Sequence, residues 1–298
     1  MRVKPALDMS SIDLHTHSSA SDGSLSPDEL VKKGVEVGLK ALALTDHDTT
    51  KGLPEAMAAG RRYGLEVIPG CELSVAYPSG FMHILGLWLP ETPNLLLEKM
   101  GYLQRRRHVR NQRIIDALQE HSIDIDYQEV KDLAGPASVG RVHVARILVR
   151  KGVVSDIQEA FDLYLGVKGL AYFSKDKLGP EEAIRILKQE GATVILAHPY
   201  SLELPLDRLR PEIQRFKDLG LDGLEALSSE HSPGQTRMFL DLCRELNLLV
   251  SGGSDFHGEG RPWVRLGKGK GNLDLSSDLL AFMKEKRRRE GLWVTGDE

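Results

Sequence analysis

The stretch IDLHTHSSASDG, residues 12–23, places two histidines and two aspartates beside a short apolar segment. Side chains alternate along an extended strand, so Asp13, His15 and His17 would point to one face and the apolar residues between them to the other. Two imidazoles spaced in this way, followed by Asp22 on a turn rich in serine and glycine, make half of a metal site. A single His-x-His pair is also common as chance surface polarity, so the rest of the chain must decide.

Length and composition set broad limits on what the chain can be. Its 298 residues can bury a large core, as one barrel-sized domain or as two smaller ones. A net charge of −4 argues against a generally cationic protein that coats nucleic acid. Two cysteines, Cys71 and Cys243, suit a reducing compartment and cannot form a disulfide framework. No run approaches the length of a membrane span and the N-terminus lacks a signal-peptide pattern, so we expect a cytoplasmic protein.

Seven short apolar runs have the character of buried strands. They are Ile12–Leu14, Ala41–Thr45, Glu66–Pro69, Met82–Trp88, Ala192–Ala197, Leu221–Ala226 and Leu248–Ser251. Helical patterns lie between most of them: residues 26–29, Ser-Pro-Asp-Glu, have the composition of a capped helix start, and further helices are predicted at 54–63, from 180, and at 235–246. This alternation of strands and helices predicts a mainly parallel α/β sheet, closed or open.

The alternation stops between residues 94 and 177. This stretch has helical periodicity, with helices expected at 141–151 and 155–165 among others. We interpret it as a small helical domain inserted between the fourth and fifth strands. The predicted domains are therefore the sheet-forming part, residues 1–93 and 178–298, and the inserted part, residues 94–177.

Residues of metal-ligand type lie within or just after nearly every predicted strand. They are, in chain order, His15, His17, Asp22, His47, Glu72, His83, His198, Asp255 and His257. In parallel α/β folds the carboxyl ends of the strands form one face, and that face carries the active site. So many ligands exceed the needs of one ion, so we expect two or three divalent ions, with Glu72 available to bridge a pair. Imidazole mixed with carboxylate suits open Zn, Mn or Fe sites better than a closed structural zinc site.

Taken in order, the motifs HTH-SxxSDG, LTDHD, PGCE, the lone His83, AHP and GSDFH closely resemble those of the PHP (polymerase and histidinol phosphatase) family of metal-dependent phosphoesterases. The resemblance covers the whole chain and implies a distorted (β/α)7 barrel that carries the inserted helical domain. It also implies a trinuclear centre. One ion would take His15, His17, Glu72 and Asp255, a second Glu72, His83 and His198, and a third Asp22, His47 and His257.

The chemistry expected of such a centre is hydrolysis of a phosphoester. Divalent ions a few Å apart generate hydroxide at neutral pH, and the metal-bound hydroxide attacks phosphorus in line while the ions hold the phosphoryl oxygens. Stabilising the charge that develops on those oxygens is usually the largest part of such catalysis. Asp13, on the strand face that carries the histidines, is expected either to support a metal ligand or to make a local contact.

The inserted domain is the best guide to the substrate. It resembles that of nucleoside 3′,5′-bisphosphate phosphatases and RNase AM-like 5′–3′ exoribonucleases. The segment GRVHVAR, residues 140–146, is similar to their GRxHxA motif, with Val142 where proline would be expected. Arg141 offers a planar guanidinium matched to phosphate and His143 lies two residues further on, so both are predicted to bind substrate phosphate. An ordinary helix start with a surface arginine is the alternative.

Other residues are weaker candidates for contact with the substrate. An arginine-rich stretch at 105–113 could guide an RNA chain, although a solvated charged face is the simpler interpretation. His231, just after the sixth strand, is the candidate catalytic residue. It could contact substrate or protonate a leaving group, with an exposed loop histidine as the alternative. Lys168 and Tyr172 are weaker candidates of the same kind.

The predicted function is a metal-dependent phosphoesterase that hydrolyses the 3′-phosphate of nucleoside 3′,5′-bisphosphates, acts as a 5′–3′ exoribonuclease on short 5′-phosphorylated RNA, or both. Among enzymes the alternative is a histidinol-phosphate phosphatase, whose small substrate would not need the inserted domain. Outside enzymes the alternative is a metal-stabilised module that binds a nucleotide without catalysis. We expect a nucleotide or short RNA as the partner, no membrane association and no obligate protein partner.

Overall fold

The chain forms two compact units. The computed structural model describes residues 12–134, 139–174 and 176–296. By internal packing, residues 1–97 and 178–298 form the first unit and residues 98–177 form the second. The boundary predicted at residue 94 coincides with the first residue of a long helix, Asn94–Glu120, whose first turn belongs to the first unit.

Within the described residues, the first unit contains a nearly closed seven-stranded sheet in sequential strand order. The strands are β1 (Ile12–Thr16), β2 (Ala41–Leu44), β3 (Glu66–Val75), β4 (Met82–Leu87), β5 (Thr193–Leu196), β6 (Gly223–Ser228) and β7 (Leu249–Gly253). The segment after β7 pairs with β1, since the N–H of Asp255 donates to the carbonyl of His15 (3.0 Å) and the N–H of His17 to the carbonyl of Phe256 (2.9 Å). The predicted α/β barrel and all seven predicted strands are confirmed.

In the described part of the first unit, six α-helices accompany these strands. They are α1 (Pro27–Glu36), α2 (Leu53–Tyr63), α7 (Pro180–Gln189), α8 (Leu206–Asp218), α9 (Pro233–Glu245) and α10 (Ser277–Arg289). Helix α1 begins as its sequence predicts. The hydroxyl of Ser26 accepts a hydrogen bond from the N–H of Glu29 (3.2 Å), and the Glu29 carboxylate accepts one from the N–H of Ser26 (2.8 Å). The sequence patterns above predict neither α8 nor α10.

Strand β4 departs from the predicted parallel arrangement. It pairs antiparallel with both β3 and β5. Strand β3 is also longer than predicted and continues through Pro69, so Glu72 lies inside the strand and not after it. Because β4 runs in the opposite direction, His83, its second residue, lies at the edge where the parallel strands end. The reversed strand therefore contributes its ligand from its beginning.

The seam between β7 and β1 depends on a glycine. A Cβ atom at Gly253 would lie 2.3 Å from the Cβ of His15 and 2.6 Å from its backbone nitrogen. Atoms do not approach so closely, so only glycine lets the two strands lie at this separation. Apolar side chains of the same strands, including Ile12, Leu14 and Leu249, are buried in a core cluster.

The second unit is helical. It contains α3 from residue 98 onward (the whole helix is Asn94–Glu120), α4 (Tyr127–Ala134), α5 (Arg141–Arg150) and α6 (Ile157–Ala160), which continues as a π-helical turn at Phe161–Leu165. Helices are therefore present near both positions expected in this region, the second being partly π-helical. Residues spaced by three or four along α3 and α5 share one face and form the core, among them Ile114, Leu118, Val144 and Leu148.

Candidate metal centre

Imidazole and carboxylate groups from β1, β3, β4 and the turns that follow the parallel strands meet at one edge of the barrel. Each of the nine predicted ligand residues lies within 4 Å of another member of the set. Eight of the nine supply ligand atoms to three groups, in each of which all atoms lie within 4.8 Å of one another: His15, His17, Glu72 and Asp255; His47, Glu72 and His83; and His17, Asp22, His47 and His257. His198 is in none of these groups, and His47 stands with Glu72 and His83 where His198 was expected.

Glu72 is the centre of this arrangement. Its Oε2 lies 3.1 Å from one nitrogen of each of three imidazoles, those of His15, His17 and His47. Its Oε1 lies 2.8 Å from Nδ1 of His83 and 3.1 Å from Nε2 of His198. The two oxygens of one fully buried carboxylate therefore face two different sets of imidazoles.

The two aspartates complete the arrangement on either side of Glu72. Oδ1 of Asp255 lies 3.2 Å from Nε2 of His17. Asp22 lies 3.3 Å from Nε2 of His257 and 3.9 Å from Nε2 of His47, and its side chain is 57 % exposed. The His17 side chain has no exposed surface, so the group opens to solvent on the side of Asp22.

The carboxylates set the protonation of the imidazoles. Burial would lower the pKa of His17, but hydrogen bonds and charge from Asp255 and Glu72 outweigh it and raise that pKa to about 9. Burial lowers the pKa of His47 to about 4, with a contribution from His17 and against the attraction of Glu72. Burial would raise the pKa of Glu72, yet the surrounding imidazoles hold it well below its ordinary value. The site favours positive charge beside Glu72, and a divalent cation would compete with protons for the same nitrogens.

The hydrogen bonding of the ligand atoms indicates whether divalent cations fit. Among the described residues, several buried ligand atoms have no hydrogen-bond partner of good geometry, namely Nε2 of His15, both nitrogens of His17, Nδ1 of His47 and Oε2 of Glu72. Buried polar atoms left unpaired are costly, and coordination to a cation would satisfy them. Imidazole nitrogens and carboxylate oxygens are donors that Zn, Mn and Fe accept. The residues present therefore fit divalent metal ions.

Asp13 supports the centre through the backbone rather than through an imidazole. Its carboxylate accepts hydrogen bonds from the N–H of Ser254 (2.9 Å), the hydroxyl of Ser254 (2.5 Å) and the N–H of Gly267 (2.8 Å). It therefore holds the residue before Asp255. Of the two roles expected for Asp13, these contacts favour support of a ligand, given through the backbone beside Asp255.

Asp46 plays a similar part for the turn that carries Asp22. Its carboxylate accepts hydrogen bonds from the N–H and hydroxyl of Ser18 (2.8 and 2.7 Å) and from the hydroxyl of Ser21 (2.6 Å). The serines of the opening motif thus fix the turn between His17 and Asp22. This gives the serine-rich composition of residues 18–21 a physical reason.

Glu225 is one residue of this region that sequence reasoning missed. It is buried within β6, where its Oε1 accepts from Nδ1 of His15 (2.9 Å) and its Oε2 from the N–H of His198 (2.7 Å). The available signal was a carboxylate in the middle of an apolar strand, at a depth where an unpaired charge is very costly.

His231, the candidate catalytic residue, is buried and is not an exposed loop histidine. Its Nδ1 donates to the carbonyl of Ala226 (3.1 Å), and its ring centre lies 4.6 Å from that of Phe239 and 5.5 Å from that of Tyr200. Tyr200 in turn lies 6.1 Å from the ring of His198. Burial lowers the pKa of His231, which favours the neutral form of the ring. This favours contact with substrate over proton donation.

Arg141 and His143 occupy the first turn of α5 in the second unit. The guanidinium of Arg141 donates to the carbonyl of Leu165 (2.7 Å) and lies 5.4 Å from the ring centre of Tyr172. Nδ1 of His143 accepts from the N–H of Gly140 (3.0 Å), so this side chain caps its own helix. Burial lowers the pKa of His143. Arg141 is therefore held by an aromatic face, while His143 has one nitrogen already engaged.

The second unit also has a pocket of about 390 Å³ whose lining includes arginines of α3 and two aromatic rings, namely Arg106, Arg110, Arg113, Tyr172 and Phe173. Arg106 pairs with Asp176 (2.9 Å). Arg110 is buried, and burial together with the charge of Arg141 lowers its pKa. Part of the arginine-rich stretch is thus not a solvated face, and like charges held this close attract an anion.

The fold and the clustered ligands define a class, that of α/β barrel proteins with a candidate divalent-metal centre at the strand ends. The PHP domain family model matches residues 13–169, more than half of the chain. The chain belongs to the PHP family, as its motifs predicted.

Two named relatives and one solved structure are similar to the chain over most of their length. The chain is 37 % identical to the 5′-3′ exoribonuclease of Haemophilus influenzae over 271 residues, which cover 90 % of this chain and 96 % of that protein. It is 32 % identical to the 3′,5′-nucleoside bisphosphate phosphatase of Chromobacterium violaceum over 253 residues, 85 % of this chain and 89 % of that one. A crystal structure from Bifidobacterium adolescentis, described as a metal-dependent phosphoesterase, matches with a TM-score of 0.74 at 28 % identity and covers 93 % of this chain and 96 % of that one.

The helices of the described part of the chain bear on membrane spanning. No helix there combines the length and the apolar character needed to cross a bilayer.

Proposed function

We propose that this protein is a metal-dependent phosphoric ester hydrolase that removes the 3′-phosphate of nucleoside 3′,5′-bisphosphates, degrades short 5′-phosphorylated RNA from its 5′ end, or does both. Relatives named as a 5′-3′ exoribonuclease and as a bisphosphate phosphatase support this activity. The observation that carries the proposal is Glu72, a buried carboxylate whose two oxygens face separate sets of imidazoles. Such a carboxylate is suited to bridge two divalent ions.

In this proposal three groups of residues hold divalent ions. They are His15, His17, Glu72 and Asp255; Glu72, His83 and His198; and Asp22, His47 and His257. The ligand atoms of His47, Glu72 and His83 all lie within 4.8 Å of one another, so His47 is placed to serve the second group as well. The donor types suit Mn, Zn or Fe. When bound, such ions supply Lewis acidity and lower the pKa of water.

The exposure of the ligands supports one direction of approach for a phosphoester. Asp22, His47 and His83 are partly exposed, whereas the side chains of His15 and His17 have no exposed surface. Substrate would therefore arrive from the side of Asp22, His47 and His83. The inner ligands are kept from water by the barrel.

Arg141 and Arg110 are proposed to bind a phosphate of the substrate. The charge of Arg141 and burial both lower the pKa of Arg110, and a bound anion would relieve that repulsion. Guanidinium groups match phosphate oxygens in geometry and charge. His143 keeps only Nε2 for such a contact, because Nδ1 caps the helix.

His231 remains the proposed catalytic-site residue, with contact rather than proton donation as its role. Its Nε2 is buried and has no hydrogen-bond partner among the residues described. Since Nδ1 carries the proton that is donated to Ala226, Nε2 is an acceptor. It would accept a hydrogen bond from a hydroxyl of the substrate.

The test is product release by purified protein supplied with Mn²⁺ and offered adenosine 3′,5′-bisphosphate, 5′-phosphorylated oligoribonucleotides and histidinol phosphate. We expect metal-dependent release of the 3′-phosphate, of 5′-mononucleotides, or of both. Asp22→Asn should lose this activity, whereas Asp28→Asn on α1 should keep it. No release from any substrate would refute hydrolysis and favour a nucleotide-binding module. Release from histidinol phosphate alone would refute the proposed substrate.

A cytoplasmic location is also proposed. Both cysteines, Cys71 and Cys243, are buried and unpaired with each other. Free thiols of this kind suit a reducing compartment.

A further inference from the structure

Glu225 is a buried carboxylate that the proposed ligand assignment leaves without a role. It lies in β6 with no exposed surface and contacts Nδ1 of His15 (2.9 Å) and the backbone N–H of His198 (2.7 Å). These histidines belong to different ligand groups, since His15 faces Oε2 of Glu72 and His198 faces Oε1. One carboxylate therefore contacts both groups from behind.

The contact with His15 selects one tautomer of the ring. Where the Glu225 carboxylate accepts a hydrogen bond from Nδ1 of His15, that nitrogen carries a proton, and Nε2 is the nitrogen that a cation would contact. Nε2 lies 3.1 Å from Glu72 and 3.5 Å from Asp255. A carboxylate behind a ligand imidazole fixes the orientation of the ring and raises its basicity. Glu225 thus aims the basic nitrogen of His15 at the other ligands.

The contact with His198 supports an unusual backbone conformation. His198 has φ of +26° and ψ of 65°, a backbone conformation that residues other than glycine rarely adopt. The charge-assisted hydrogen bond from its N–H to Glu225 stabilises that conformation. The ring of His198 is oriented separately by Ser201, whose Oγ lies 3.1 Å from Nδ1. Glu225 therefore sets where this ligand leaves the backbone, and Ser201 sets how its ring turns.

We infer that Glu225 is a positioning residue that couples the two proposed metal positions on either side of Glu72. Its loss would weaken the binding of both ions together. This inference rests on the proposed metal centre. Ser201 contacts the ring of only one of the two histidines, so its loss should weaken one position alone. The two variants therefore separate coupling of two sites from support of a single ligand.

The experiment counts bound metal ions and does not read hydrolysis. The wild-type protein, Glu225→Gln and Ser201→Ala are equilibrated with Mn²⁺ at a series of buffered free concentrations, and metal per chain is measured by plasma mass spectrometry. Glu225→Gln should lower the affinity for two ions by about 10- to 100-fold, and Ser201→Ala should lower the affinity for only one. Asp222→Asn is the matched control, because this carboxylate lies just before β6 and pairs with Lys188 (2.9 Å). Its metal binding should equal that of the wild type.

The outcomes distinguish this inference from the proposed function. If the wild type binds no metal, the proposed centre and this inference both fail. If Glu225→Gln keeps both affinities or weakens a single ion, the inference is wrong while the proposed function stands.

A measurement on the wild type covers the case in which the variants fail to fold. Long-range ¹H–¹⁵N spectra of the Zn²⁺-loaded protein should show the proton of His15 on Nδ1. A proton on Nε2 would overturn the inference.

Discussion

The candidate metal centre and the arginine pocket use buried charge in opposite ways. At the barrel edge, carboxylates and imidazoles face one another, and the imidazoles depress the pKa of Glu72 despite its burial. In the helical unit, Arg110 is buried within reach of the like charge of Arg141, and its pKa falls. The first arrangement is suited to cations held between opposite charges, and the second to an anion that relieves repulsion.

The largest effect is expected from Glu72→Gln, which removes the carboxylate at the centre of the candidate metal centre. The amide nitrogen cannot serve a cation, so one of the two groups loses its shared ligand. We expect kcat/KM for adenosine 3′,5′-bisphosphate to fall on the order of 10³-fold, as when a principal source of charge stabilisation is lost. Glu66→Gln, at the other end of β3 and paired with Lys284, is the control and should stay near wild type. Wild-type turnover by Glu72→Gln would contradict the role of the bridge.

Metal removal tests whether the same cluster contributes to stability. Ligand binding at 100 times Kd stabilises the folded state by about 2.7 kcal/mol. A shift of that size corresponds to a melting-temperature change of roughly 5–10 °C for a domain of this size. We expect Mn²⁺ to raise the melting temperature in scanning fluorimetry, EDTA to reverse the rise, and Glu72→Gln to abolish it. An identical melting curve with and without Mn²⁺ would argue against a cation site.

The helical side of the comparison is tested by Arg141→Ala. A hydrogen bond to a charged group contributes about 1.5–3 kcal/mol, so KM for the bisphosphate should rise roughly 10- to 100-fold with kcat little changed. Arg150→Ala, on the last turn of the same helix, should leave KM unchanged. A fall in kcat with constant KM would place Arg141 in a different role.

The smallest effect is expected from Ser21→Ala. This change removes the hydroxyl that donates to Asp46 (2.6 Å) and so loosens the turn carrying Asp22. A single hydrogen bond is worth about 1 kcal/mol, which corresponds to roughly fivefold weaker binding of the ion held by Asp22. Metal titration measures this change in affinity, and Ser19→Ala, on the exposed side of the turn, is the control. Equal titrations for both variants would mean that Asp46 does not position Asp22.

Much of the barrel could be predicted because its information is local. Apolar runs identified all seven strands, and the residue types at their ends identified the nine candidate ligands. The direction of β4 could not be predicted, because a hydrophobic run has the same pattern read either way. The extension of β3 beyond Pro69 was missed for a related reason, since proline and glycine in a strand pattern predict its end.

The supporting residues depend on contacts between distant parts of the chain. The pairing of Glu225 with His15 and His198 joins β6 to β1 and to the turn after β5. Helix α8 has an apolar face, which includes Leu209, Ile213 and Phe216, but Pro211 lies within it and proline ordinarily predicts a helix end. The burial of Arg110 beside Arg141 likewise follows from helix packing and not from sequence spacing. His231 illustrates the same limit, because its burial against Phe239 turned a loop position into an enclosed one.

The seam closed by Gly253 has a consequence for how the protein is made. His15 is translated near the start of the chain and Asp255 near its end, yet the N–H of Asp255 bonds to the carbonyl of His15. A nascent chain on the ribosome therefore lacks the complete set of ligands around His15 until β7 has emerged and taken its place. A divalent ion at that position would meet the whole of its proposed ligand set only after β7 has taken its place beside β1.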